Sequence, residues 1–201
     1  MQGRLFVVSG PSGAGKSIIC ERLRDEKSFE LSVSMTTRQP RTGEVPGVSY
    51  YYVSHEEFKR IIGEGGFFEY AEIYGNCYGT PKQPVLDKLA EGKDVILEIE
   101  MQGAAQVKNV YPQAILIFVI PPSLTELRQR LVGRGTETEE QLARRISKAM
   151  DEIRLIENYD YFVVNDDLDK AVETVKSIAR GEAEPIGNRA KDIIRKYEEE
   201  L

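Results

Sequence analysis

The run Gly10-Pro11-Ser12-Gly13-Ala14-Gly15-Lys16-Ser17 limits this chain more than any other segment. It follows a strand-like apolar stretch, Leu5 to Ser9, and opens a helix-period pattern. Glycine, four residues, glycine, lysine and serine at such a junction read as a phosphate-binding loop. The glycines let successive backbone N–H groups turn inward around a phosphate, and the helix start adds the positive end of its dipole. The pattern predicts a nucleoside triphosphate site, with Lys16 at the β- and γ-phosphates and the Ser17 hydroxyl on Mg²⁺.

The rest of the sequence keeps to an α/β plan. Short apolar runs alternate with longer helical stretches, the pattern of a parallel sheet flanked by helices. Strands are predicted at Leu5 to Ser9, Val95 to Ile99, Ile115 to Ile120 and Tyr161 to Val164. Each is apolar at consecutive positions, as in strands buried on both faces. Helices are predicted after Lys16 and over 84–91, 102–110, 124–131, 139–158 and 168–180, with a charged surface helix over 187–201. Capping boxes pair Ser54 with Glu57, Ser123 with Glu126 and Thr138 with Gln141. Residues 34–83 break the alternation: rich in Gly, Pro, Tyr and Thr, they read as a small irregular or antiparallel insertion.

Composition removes several classes of function. Lys and Arg number 27 against 33 Asp and Glu, a net charge of −6, which argues against a general affinity for nucleic acid or anionic membrane. No apolar run nears the roughly 20 residues of a membrane span, and no signal peptide is expected from the N-terminal residues. Cys20 and Cys77 have no metal-ligand or CxxC spacing and are expected to be reduced thiols of a cytoplasmic protein. His55, the single histidine, lies in a capping box and reads as structural. The NKxD and DxxG motifs of GTPases are absent.

A second set of anion-binding side chains lies beyond the loop. Arg38 and Arg41 stand in Ser34-Met35-Thr36-Thr37-Arg38-Gln39-Pro40-Arg41-Thr42-Gly43-Glu44, followed by Tyr50 and by Phe68-Glu69-Tyr70-Ala71-Glu72-Ile73-Tyr74-Gly75-Asn76-Cys77-Tyr78-Gly79-Thr80-Pro81. With the phosphate loop, these runs resemble guanylate kinases, P-loop enzymes that pass a phosphoryl group from ATP to GMP. The resemblance extends through Glu98-Ile99-Glu100-Met101-Gln102-Gly103-Ala104, Gly133-Arg134-Gly135-Thr136-Glu137 and Val164-Asn165-Asp166, and covers roughly residues 3–180 in family order.

The resemblance implies a role for each matching residue. Arg38, Arg41, Tyr50 and Tyr78 would clamp the GMP phosphate, and Ser34, Glu69, Thr80 and Glu100 would read guanine. Chemistry agrees for Glu69, since guanine offers N1–H and N2–H₂ as adjacent donors to one carboxylate. The hydroxyl of Ser34 or Thr80 could serve O6. Gly10, Pro11, Ser12, Gly13, Ala14, Gly15, Lys16 and Ser17 would hold ATP, with Asn165 at the adenine. Lys16, Arg38, Arg130, Arg134 and Arg145 would supply the cations for transfer. The acceptor phosphate has a second pKa of about 6 and needs no general base.

One domain is expected. Its core takes 1–33, 84–129 and 144–185, its GMP-binding insertion about 34–83 and a mobile lid about 130–143. ATP and GMP or dGMP are the implied partners, Mg²⁺ the implied cofactor and purine nucleotide metabolism the setting, for a monomer or homo-oligomer. Three departures from the family pattern stand out: Ile18 where threonine is common, Glu100 where many members have aspartate, and Cys77 at an often aromatic position. Two other readings remain open: a non-catalytic phosphopeptide-binding module of this fold, and a kinase of this fold for another phosphorylated acceptor.

Overall fold

In a computed structural model, residues 2–132 and 138–201 are described. The chain divides into two compact units, one formed by residues up to Phe6 with Phe29–Ala114 and the other by Val7–Ser28 with Ile115–Leu201. The first strand, β1 (Leu5–Ser9), is buried throughout and gives residues to both units. The fold is α/β, a parallel sheet flanked by helices.

In the first unit β2 (Glu30–Leu31) runs parallel to β7 (Val95–Glu98), and β7 neighbours β1. A separate sheet of four strands has the order β4 (Tyr51–Tyr52), β3 (Met35–Thr36), β6 (Asn76–Pro81), β5 (Phe67–Ile73). Its β3–β6 and β5–β6 pairs are antiparallel, whereas β3–β4 is parallel. The expected insertion is therefore an ordered mixed sheet. Two of its strands, β3 and β4, are two residues long and carry no legible alternation. Three helices complete the unit: α2 (His55–Gly63), α3 (Lys82–Ala90) and α4 (Met101–Val110). Ser54 caps α2 by accepting from the Glu57 N–H. The third helix starts at Lys82, two residues earlier than expected, because Pro84 fits in a first turn that needs no N–H from it.

In the second unit α1 (Lys16–Asp25) follows the phosphate loop, and β8 (Ile115–Ile120) pairs in parallel with β9 (Tyr161–Val164), Ile117 opposite Tyr161. These strands lie within the apolar runs that predicted them. The helices α5 (Leu124–Val132), α6 (Glu139–Ile153) and α7 (Leu168–Arg180) carry the unit's apolar faces. Thr138 and Gln141 close a reciprocal capping box on α6. The expected helix over 139–158 tightens into a 3₁₀ turn at Arg154–Asn158, which buries Ile156. The last helix, α8 (Arg189–Glu198), is anchored rather than merely superficial. Tyr197 is buried with its hydroxyl donating to the Pro121 carbonyl, and Glu200 accepts from the Leu124 N–H at 2.8 Å.

Candidate functional site

The sequence-predicted residues that the structure describes fall into two groups, each inside one unit. In the second unit, Gly15 caps α1 at φ 90°, a left-handed conformation that a Cβ would strain. A Cβ there would also stand 2.1 Å from the Asn165 amide nitrogen. The Lys16 ammonium donates to the carbonyls of Gly10 at 2.7 Å and Pro11 at 3.2 Å, which folds it back over the loop. Ser12 and Ser17 are exposed, while Gly10, Pro11 and Ala14 are buried and Gly13 half-buried. Ile18 is 51% exposed beside the loop, an apolar side chain set toward solvent.

Asn165 ties this group together. Its side-chain amide donates to the Ala14 carbonyl at 2.8 Å, and its own carbonyl accepts from Arg130 Nη2 at 2.8 Å. Arg130 also pairs with Glu126 one turn earlier, at 2.9 Å. A guanidinium on α5 is thereby linked through one asparagine to the phosphate loop. Arg145 is exposed on α6, and Arg134 lies outside the described residues.

The other group lies in the first unit. Arg38 bonds Glu44 at 2.8 Å, its side chain 13% exposed, and its guanidinium lies 5.6 Å from the centre of the Tyr50 ring. Tyr50 and Tyr78 meet edge to face at 6.1 Å, and Tyr78 contributes a further hydrogen bond that helps hold Arg38 charged. Glu44 is the residue that sequence reasoning passed over. It takes Arg38 on one oxygen and both the Arg41 N–H and the Tyr52 hydroxyl on the other, each at 2.7 Å. These donors, Arg38 foremost, pull its carboxyl down to about 2. Its spacing of three and six from two arginines was the available signal. Arg41 itself is exposed, and Tyr50 is half-buried, burial pushing its hydroxyl upward.

Glu69 and Thr80 face each other across β5 and β6. The Thr80 hydroxyl donates to Glu69 Oε1 at 2.7 Å, and both side chains are buried. Burial raises the Glu69 carboxyl above its ordinary value of 4.5, against the pull of the Thr80 hydroxyl and N–H. The β5–β6 register slips between Phe67 and Glu69, a bulge that turns Phe67, Phe68 and Glu69 inward in succession. Ser34 is half-buried, and its carbonyl accepts from Tyr51. Glu100 is exposed at the start of α4 with no capping bond from its side chain, and Glu98 is half-buried at the end of β7. Cys77 is half-buried, with its backbone exchanging hydrogen bonds with Thr37. His55 faces Thr37 and the Gly75 carbonyl.

The donor set bears on which metal the chain suits. Among the described residues, no group of three or more His, Cys, Asp or Glu could hold an ion. A serine hydroxyl such as that of Ser17 beside a phosphate loop fits Mg²⁺ arriving with phosphates, since that ion keeps several waters and needs few protein ligands. Among the described residues no helix is long and apolar enough to cross a membrane.

Comparison with known proteins points in one direction. A family profile described as guanylate kinase matches residues 2–182. A guanylate kinase of Clostridioides difficile is 51% identical over 201 residues, covering 100% of this chain and 98% of its own. One from Caldanaerobacter subterraneus is 50% identical over 200 residues, covering 99% and 97%. The crystal structure of guanylate kinase from Anaplasma phagocytophilum superposes with a TM-score of 0.70 at 34% identity, covering 94% of this chain and 92% of that one.

Proposed function

This chain belongs to the guanylate kinase family, and from that premise we propose that it moves the γ-phosphoryl group of ATP to GMP, and to dGMP, giving ADP and GDP or dGDP. The observation that carries the reading is the buried Glu69 carboxylate, oriented by Thr80 at 2.7 Å in the unit that also holds Arg38. A carboxylate so placed accepts from the adjacent N1–H and N2–H₂ of guanine. Adenine would set a lone pair against it and leave buried groups unpaired. Because the Thr80 proton is committed to Glu69, the Ser34 hydroxyl is the better donor for guanine O6. Glu100 reads the same base from the start of α4, its longer side chain standing in for the family's aspartate.

Phosphoryl transfer asks the protein for positioning and charge rather than covalent chemistry. Arg38, Arg41, Tyr50 and Tyr78 hold the acceptor phosphate, already largely ionised near neutral pH. The Gly10–Ser17 loop and Lys16 hold the donor. Mg²⁺ supplied with ATP would neutralise charge on the β- and γ-phosphates, and Ser17 is the residue that would hold it. Arg130, Arg134 and Arg145 screen the migrating group, Arg130 from a position fixed through Asn165. Asn165 also borders the adenine. The division into a core, a GMP-binding insertion and a lid belongs to this proposal, as do a cytoplasmic setting and a place in purine nucleotide metabolism.

The deciding experiment couples ADP formation to a readout, with ATP as donor and a panel of nucleoside monophosphates as acceptors. GMP and dGMP are expected to exceed AMP, CMP and UMP in kcat/KM by at least about 10²-fold. Equal use of AMP, or no turnover with any acceptor, would overturn the reading.

A further inference from the structure

The guanine-reading carboxylate sits on a strand that its own sheet holds on one side only. Among the described residues β5 is an edge strand paired with β6 alone, and a bulge at Phe68 interrupts that pairing one residue before Glu69. The two-residue turn at Tyr74 and Gly75 fixes the register of β5 on β6, but on its open side the backbone groups of β5 have no strand to pair with. A neighbour on that open side is what holds it against the rest of the unit.

Helix α4 does so through consecutive residues of β5. The Phe68 ring meets Tyr111, just past the end of α4, edge to face at 5.7 Å. Glu69 lies against Gly103, where an added Cβ would stand 2.9 Å from its Oε2, so a larger residue there would force the Glu69 carboxyl to shift. Tyr70 is gripped by Gln106, one helical turn after Gly103 on the same face. Gln106 Oε1 accepts from the Tyr70 N–H and its Nε2 donates to the Tyr70 carbonyl, both at 3.1 Å. One side-chain amide thus satisfies the outward donor and acceptor of an edge residue, as a further strand would.

We propose that Gln106 is a specificity-determining positioning residue: by clasping both backbone groups of Tyr70 it fixes Glu69 relative to α4, which Glu100 immediately precedes, and so sets the spacing of the two carboxylates that read guanine. The inference rests on the GMP reading above and deepens it. Gln106 touches no nucleotide in this account. It acts through the strand.

The test is steady-state kinetics on the full chain, wild type beside Gln106→Leu and Gln106→Glu, with ATP as donor and GMP or IMP as acceptor. IMP lacks the 2-amino group, so the GMP/IMP ratio reports the carboxylate's aim. Gln106→Leu removes both bonds and is expected to raise KM for GMP about ten-fold, to narrow the GMP/IMP ratio in kcat/KM by a similar factor and to leave KM for ATP within about two-fold. Gln106→Glu keeps the volume and the acceptor but loses the donor, and should shift the same values by a smaller factor. Should Gln106→Leu fail to fold, the near-isosteric glutamate carries the test alone. An unchanged KM for GMP with an unchanged GMP/IMP ratio overturns the inference. So does a fall in kcat with both KM values and the ratio preserved, the mark of general damage. A wild-type chain that fails to phosphorylate GMP overturns the functional reading itself, which separates the two failures.

Discussion

Glu69 and Glu44 are carboxylates of one unit pushed in opposite directions by their surroundings. Glu44 is met by Arg38, the Arg41 N–H and Tyr52, and its carboxyl falls to about 2. Its pairing therefore adds stability that is complete above about 4.5 and is lost only as pH falls through about 2. Glu69 is raised above 4.5 because burial outweighs the bonds from Thr80. Its charged form costs the ligand-free fold stability at neutral pH, and protonation relieves that cost as pH drops through the folded value. Guanine needs the charged form, so acid should weaken GMP binding through Glu69 while Glu44 still holds Arg38. We expect Glu69→Gln to lower kcat/KM for GMP by about 10²-fold, with a melting temperature no lower than wild type. The wild-type-to-variant ratio of kcat/KM should also decline below the raised Glu69 value, a comparison in which the titration of GMP itself cancels. A ratio flat with pH would remove Glu69 from the base-reading role.

Elements differ in how much of themselves they showed in sequence. β1, β8, β9 and α7 match their expected bounds, because burial on both faces or a strong helical period leaves a local signature. The strands of the insertion left none, being two residues long at β3 and β4 and bulged at β5. Lys16 was legible as chemistry at a spacing, and Arg38 and Glu69 through the family resemblance of the runs that hold them. Glu44 left only its spacing from two arginines, and Gln106 left nothing, since its partner Tyr70 lies 36 residues away. At Gly103 two element-scale effects oppose each other. Alanine would favour the helix by about 1 kcal/mol, while its Cβ, 2.9 Å from Glu69 Oε2, would cost about 1–3 kcal/mol in repacking. Gly103→Ala is expected to raise KM for GMP several-fold more than KM for ATP, with a net loss of stability in denaturant titration. Equal effects on the two substrates would place the damage elsewhere than Glu69.

At the scale of the whole molecule, the residues assigned to each nucleotide belong to a different compact unit. Ligands protect the part that they bind. GMP alone is therefore expected to slow backbone hydrogen exchange in β3, β5 and β6, and a non-hydrolysable ATP analogue in Gly10–Ser17 and the first turn of α1. Protection by GMP centred on the phosphate loop would refute the assignment. The chain passes between the units after Phe6, after Ser28 and after Ala114. Neither unit is therefore a continuous stretch of the gene. No deletion from either end yields one whole unit without the other, and a protease cutting once after Ser28 leaves pieces that each carry parts of both. Exchanging one substrate's half between relatives means swapping interleaved segments rather than grafting a cassette.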